Sequence, residues 1–327
     1  MNNNVIVSII CTTYNQEKFI SDALNGFLNQ KTSFKYEIIV HDDASTDKTA
    51  QIIQTFVMQY PNLIKPIFQK ENIYSRSPRL CIPYAVNEAQ GKYLALCEGD
   101  DYWIDPYKLQ KQVDFLESNP NVSVCVHSAN AIDAETGESI RLICRSKENR
   151  IYSVKEVIAG GGGLFPTNSM CFRHEFFSNL PDFYFRAPVG DYPLMIHLAL
   201  QGDVYYMKDT MSVYRQNVPG SWSNKAHSTQ DRKYEHIQEI SNMFDEINQY
   251  TNYKYQDVIE KRVKEYYFKY FLKYGKLEQA RSVQYKDFYK QLSLKRKVIL
   301  QLRSNFPIIL LAFSKTNKLF KKLLKRY

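Results

Sequence analysis

An apolar run from Tyr93 to Cys97 stops at three carboxylates within four positions, Glu98, Asp100 and Asp101. A short run without polar alternation belongs to a strand covered on both faces, as in an α/β sheet. Acid at the end of such a strand lies at the sheet edge where these folds bind ligands. Gathered carboxylates repel one another. A hard divalent cation between them, Mg²⁺ or Mn²⁺, relieves that repulsion. A solvated acidic turn is the competing reading of the same residues.

The stretch before this run alternates strand and helix patterns. Val5–Cys11 reads as a strand, Thr12–Asn15 as a polar loop, and Phe19, Ile20, Ala23, Leu24, Phe27 and Leu28 recur at helical spacing. Tyr36–Val40 is a second strand ending in His41-Asp42-Asp43-Ala44-Ser45-Thr46-Asp47. Ser45 or Thr46 is expected to cap a helix running to about Tyr60. Asp42 and Asp47 suit an Asx turn or a cap. Ile64–Phe68 is a third strand and Leu80–Ala89 a helix. Asp105-Pro106 opens another helix carrying Leu109, Val113 and Leu116, with Pro at its first position. Val122–Val126 follows as a strand. This order predicts a doubly wound, mostly parallel α/β sheet.

Beyond Asn130 the pattern weakens. Residues 135–138 read as a hairpin turn. The four glycines at 160–163 allow close backbone approach but lack the Lys-Ser/Thr ending of a phosphate-binding loop. Ser169–Phe172, Val204–Met207 and Met211–Tyr214 read as strands, and Asp191–Leu200 as a helix. Asp42-Asp43, the Glu98 cluster and Asp191 all stand at strand ends or helix starts. In a parallel sheet such ends share one edge, so the three acidic sites can converge.

Charge divides the chain. Residues 1–224 hold 20 Lys+Arg and 24 Asp+Glu, whereas 225–327 hold 23 and 10, and the last forty hold 11 basic residues and no acidic one. Two parts are expected, 1–224 and a basic helical region, 225–327. In 293–327 basic residues flank apolar ones. This suits an interfacial helix on an anionic membrane or a helix packed in a subdomain. A nucleic-acid role is disfavoured, because the charge is confined to the end and no recognised motif appears. The six cysteines are scattered singly, which fits reduced thiols in the cytoplasm. With Met1–Asn4 polar and no run near the ~18 apolar residues of a spanning helix, a cytoplasmic protein, peripheral on the inner membrane face at most, is expected.

Three segments in order, Val7-Ser8-Ile9-Ile10-Cys11-Thr12-Thr13-Tyr14-Asn15, His41 to Asp47, and Glu98-Gly99-Asp100-Asp101, resemble the signatures of the family 2 inverting glycosyltransferases, which have the GT-A fold. The resemblance covers roughly residues 5–223. It implies a sugar transferred from a nucleoside-diphosphate donor, UDP-sugars foremost, to a hydroxyl of a saccharide or lipid-linked acceptor in bacterial surface polysaccharide synthesis. By matching position it places Thr12, Tyr14 and Asp43 on the nucleoside, and Asp100, seconded by Asp101, on Mg²⁺ or Mn²⁺. Glu98, where the family more usually has Asp, falls on the donor through water or the ribose. Asp191 matches the general base, although Gly190 stands where Glu is usual; a helix cap is its other reading. His174 and His197 are alternative bases that suit structural positions. Tyr214-Arg215 resembles a late pair whose arginine holds the diphosphate, but Gln216 and Asn217 follow in place of histidine. Arg76 and Arg79 face phosphate or solvent. Trp103 and Trp222 are acceptor-side candidates, Trp103 being equally suited to burial. The departures at Glu98 and Gly190 leave open a catalytically inactive membrane scaffold.

Overall fold

Residues 4–221 and 229–305 are described by a computed structural model. The chain divides into two compact units, Met1–Lys225 and Ala226–Tyr327.

In the first unit, β1 (Val5–Thr13), β2 (Lys35–Asp42), β3 (Ile64–Phe68) and β4 (Tyr93–Leu96) pair in parallel in the order β3-β2-β1-β4. Their linking segments hold α1 (Ile20–Leu28), α2 (Thr49–Gln59) and the short α3 (Cys81–Val86). Val7, Ile9 and Cys11 of β1, Ile38 and Val40 of β2, and Tyr93 and Ala95 of β4 share one apolar cluster with Leu24 and Phe27 of α1 and Ile53 of α2. The intervening residues Ile10, Ile39 and Leu94 point to the other face and are buried too. Cover on both faces is why these strands carry no polar alternation.

The sheet continues through β5 (Tyr102–Trp103), β6 (Val122–Asp133), β7 (Ser139–Ile143), β8 (Arg150–Tyr152), β9 (Cys171–Arg173) and β10 (Asp203–Gln216). The full order is β3-β2-β1-β4-β9-β6-β10-β5, with β7 on β6 and β8 on β10. The mixed sheet is parallel over its longest pairings, including β6 with β10. β9 runs antiparallel between β4 and β6, and β5 antiparallel to β10. Among the described residues the unit also holds the α-helices α4 (Lys108–Ser118), α5 (Val154–Gly160), α6 (Asp182–Arg186) and α7 (Asp191–Gln201).

Several local expectations are corrected. The strand expected at Val122–Val126 runs on past Asn130 to Asp133 as β6, which turns at Gly137 (φ 70°) into β7. The two strands expected at 204–207 and 211–214 are one strand, β10, whose register against β6 shifts after Met207 and again after Thr210. Ser45 and Thr46 do not cap α2. Asp47 does the equivalent work, its Oδ1 accepting the Thr49 N–H at 2.9 Å. The α4 helix starts at Lys108, with Pro106 in the preceding turn.

The second unit is helical: α8 (Gln230–Tyr250), α9 (Gln256–Lys273), α10 (Leu277–Arg281), α11 (Lys286–Lys290) and α12 (Leu294–Asn305). Thr229 caps α8 by accepting the Arg232 N–H. Phe268 and Leu272 of α9, Leu277 and Ala280 of α10, Tyr285 just before α11, and Leu300 of α12 share a buried apolar cluster. The described part of the 293–327 tail is therefore partly a core helix; residues 306–327, and Trp222, lie outside the described residues. Among the described residues no helix is long and apolar enough to cross a membrane.

Candidate active site

The ends of β1, β2 and β4 lie side by side, and the loops leaving them are tied together. The Asn15 N–H donates to Ser45 Oγ (2.9 Å), and Asn15 Oδ1 accepts the Thr46 N–H (2.7 Å). Asn15 holds a left-handed φ of 52°, a conformation that asparagine tolerates better than most residues. Thr12 and the exposed Tyr14 sit on this knitted loop. Asp42 is buried and accepts the Ser45 N–H at 3.2 Å, an Asx-type turn. The carboxylate of Asp43 is also buried. Its two oxygens accept the N–H groups of Ile73 (2.7 Å) and Tyr74 (2.9 Å), fixing the loop beyond β3.

One strand over, Gly99 donates its N–H to Thr12 O (3.0 Å). A Cβ there would lie 2.5 Å from Gln16 Oε1 and 2.8 Å from Thr13 Oγ1, so only glycine lets the acidic loop lie this close to β1. Glu98 and Asp100 flank it, each partly accessible. Burial, then the charge of Asp100 and that of Asp191, pushes the Glu98 carboxyl up to about 8, and its Oε2 is a buried oxygen with no partner among the described residues. Asp100 is likewise held above the ordinary carboxylate range by burial, with Arg215 and Gln16 opposing the shift. Asp191 opens α7, where its Oδ1 accepts the Tyr192 N–H (2.8 Å); burial raises it and the nearby Arg79 charge lowers it. The Tyr214 hydroxyl is pushed up by burial and then by Asp101, Glu98, Asp100 and Asp191 in turn. The structure thus brings the Glu98 cluster and Asp191 to one place, with Tyr214 among them.

Asp101 takes a different part. Its Oδ1 accepts the Arg215 N–H (2.8 Å) and its Oδ2 the Asn168 amide (2.9 Å). Asn168 is fully buried and also bonds Val213 O, Ser212 Oγ and the Trp103 indole N–H (2.9 Å). Trp103 is therefore a core residue, set edge-on to Phe27 with centroids 4.8 Å apart and with the Lys108 ammonium 3.9 Å over its ring. Its acceptor-side assignment is corrected, because a side chain 3% exposed has no face left for a sugar. Arg215 is likewise committed. It lies between the rings of Phe19 and Tyr102, pairs with Asp22 and donates to Asp100 O (2.8 Å). Arg79 instead reaches toward Asp191: a Cβ on Gly190 would stand 2.5 Å from its Nη1. The missing glutamate side chain leaves the space that this guanidinium fills. Arg79 Nε is buried with no partner among the described residues. His174 and His197 bond the carbonyls of Gly91 and Phe176 and are structural. Arg76 pairs with Glu71 at the surface.

Residues 8–176 match the family model described as Glycosyl transferase family 2. The chain belongs to that family. Its fold is of the GT-A type. S. aureus TarS 1-349, solved in complex with UDP-GlcNAc, superposes with a TM-score of 0.61 at 18% identity, covering 90% of this chain and 78% of that one. An uncharacterized protein of Mycobacterium tuberculosis is 37% identical over 216 residues, 66% of this chain and 60% of its own length. The minor teichoic acid biosynthesis protein GgaA of Bacillus subtilis is 34% identical over 121 residues, 36% of this chain and 26% of that protein. The chain thus spans less than two thirds of the length of these mycobacterial and Bacillus relatives. The matched span holds the first two acidic sites and Arg79; Asp191, Tyr214 and Arg215 lie beyond it.

Sequence reasoning missed Asn168, Tyr214 as a site residue, and the Arg79–Gly190 fit. No local pattern marks an asparagine in a 3₁₀ turn as a hub. The glycine standing before Asp191 was the one available signal for Arg79.

Proposed function

We propose that this chain moves a sugar, with inversion, from a nucleoside-diphosphate donor to a hydroxyl of a saccharide or lipid-linked acceptor in surface polysaccharide synthesis. The observation carrying this reading is the convergence of Glu98, Asp100 and Asp191 at the strand ends, with a buried Glu98 oxygen left unpartnered. That donor set of hard oxygens, costly to hold together in the ionised form, fits a divalent cation held by Asp100 with Glu98 beside it. Bound there, Mg²⁺ or Mn²⁺ would supply positive charge to the leaving diphosphate. Asp101 acts through Asn168 and Arg215 to hold the loop in place and is not a ligand on this reading.

Asp191 takes the proton from the acceptor hydroxyl. The acceptor oxygen then bonds the anomeric carbon as the bond to the diphosphate oxygen breaks, and the electron pair leaves with the diphosphate. Arg79, rather than Arg215, is the cation placed to meet that charge, since Arg215 is spent on Asp22 and the Asp100 carbonyl. Thr12, Tyr14 and Asp43 line the nucleoside end. The teichoic acid role in the name of the Bacillus relative and the basic C-terminal region support an acceptor near the membrane.

Turnover of UDP- and GDP-sugars with Mn²⁺ tests the reading. Asp191→Ala is expected to lose about 10²–10⁴-fold in transfer, and Asp100→Ala to lose the dependence on Mn²⁺. Undiminished turnover in both variants would refute the assignment.

A further inference from the structure

A second ligand set stands across β1 from the Glu98 cluster, at the end of β2. An imidazole nitrogen of His41, a carboxylate oxygen of Asp43 and the Cys81 Sγ lie within 4.8 Å of one another, and all three residues are buried. Two come from the end of β2 and its loop, the third from the start of α3. Their chemistry differs from that of the acidic cluster. Thiolate and imidazole favour a borderline-soft cation over Mg²⁺ or Mn²⁺, and three protein ligands with a fourth place for water is a common zinc arrangement.

Each ligand is also oriented from behind, as in built metal sites. Both Asp43 oxygens accept backbone N–H groups, from Ile73 and Tyr74. His41 Nε2 meets the Gln69 side-chain amide at 3.1 Å, while Nδ1 has no partner among the described residues although His41 is 0% exposed. A fully buried imidazole with one nitrogen held and the other unsatisfied is the observation, separate from the clustering, that points to a ligand. The Cys81 S–H to Asp43 contact is long, 3.9 Å, and leaves room for an ion to replace it. Tyr84 lies stacked over the imidazole at 6.4 Å and is itself exposed, so the cluster is one side chain from solvent.

We propose that His41, Asp43 and Cys81 form a Zn²⁺ site, distinct from the diphosphate cation site, in which the metal fastens the start of α3 to the end of β2. Binding displaces the Cys81 thiol proton to solvent and leaves a thiolate on the metal. Asp43 belongs to both this site and the proposed nucleoside end, so Zn²⁺ here would also set how that end meets a donor.

Co²⁺ titration of the chelator-treated full chain tests the site without any sugar donor. The expected result is a near-ultraviolet thiolate-to-cobalt charge-transfer band that saturates at one equivalent and is bleached by Zn²⁺. Cys81→Ser should lose the band, while Cys144→Ser and Asp100→Ala should keep it. Gln69→Leu should weaken Zn²⁺ binding by roughly 10–100-fold. No band in the unmodified chain, or a full band in Cys81→Ser, would overturn the proposal. Should Cys81→Ser not fold, alkylation of the unmodified chain decides: Zn²⁺ is expected to protect Cys81, and equal labelling with and without Zn²⁺ counts against the site. Retention of the band in Asp100→Ala separates this outcome from any failure of the glycosyltransfer reading.

Discussion

Neighbouring carboxylates of one tetrapeptide do opposite work here. Glu98 and Asp100 are partly accessible residues, whereas Asp101 is buried with both of its oxygens taken by Arg215 and Asn168. Removing a partner from a buried, hydrogen-bonded carboxylate leaves it uncompensated. Asn168→Ala is therefore expected to cost about 1–3 kcal/mol, read as a lower denaturation midpoint. Glu98→Gln should act the other way. It removes one of the mutually repelling charges, so the cation-free protein should melt higher at pH 8 than the unmodified chain, while its response to added Mn²⁺ shrinks. A lower melting temperature in Glu98→Gln would contradict the repulsion argument.

Among the elements, β10 carries the most. It pairs with β6, β5 and β8, and at its end delivers Tyr214 and Arg215. Arg215 braces that end against α1 through Asp22 and through the rings of Phe19 and Tyr102. Lysine cannot stack and fork in the same way, so Arg215→Lys should cost roughly 1–2 kcal/mol of stability. As a brace, its loss should move the melting temperature far more than the affinity for UDP; the reverse result would return Arg215 to the diphosphate. The parallel half of the sheet was legible in the sequence because its strands are continuous apolar runs stopping at Asp42, Asp43 and Glu98. β10 was read as two strands, since Lys208 and Asp209 interrupt its pattern where the register shifts. The antiparallel inserts β5, β7 and β8 are two to five residues long, too short for periodicity to declare, whereas β9 overlaps the strand read at Ser169–Phe172. At the site, the acidic residues could be found because their type and place at strand ends carry meaning. Asn168 and the seat of Arg79 against Gly190 depend on tertiary neighbours alone, and Trp103 looked the same in sequence whether stacked on a sugar or buried.

For the whole molecule, the acidic cluster links stability to pH. A carboxyl raised from 4.5 to about 8, as in Glu98, favours folding in its protonated form. That contribution is fully present below the ordinary value and is lost as pH rises through 8. The cation-free chain is therefore expected to lose up to a few kcal/mol between these limits, seen as a melting temperature that falls with pH, and Mn²⁺ should flatten the slope. A melting temperature that rises over the same range would refute the linkage. The C-terminal unit calls for a different cut than its sequence suggests. Leu300 of α12 belongs to the helical core, so removing everything after residue 292 would damage that core. Ending the chain at Asn305 instead is expected to abolish binding to anionic liposomes while the unit stays folded; unchanged liposome binding would exclude residues 306–327 as the membrane contact.

The Asp22–Arg215 pair joins positions 193 residues apart. During synthesis β1, β2 and β3, with their nucleoside-end loops, leave the ribosome early and can pair at once. The acidic loop after β4 gains its Asn168 and Arg215 supports only when residue 215 emerges, on the order of 10–40 s after initiation at typical elongation rates. Until then the chain presents Asp22, Glu98, Asp100 and Asp101 as an unbraced acidic edge, so the nascent protein cannot act before its first unit is nearly complete.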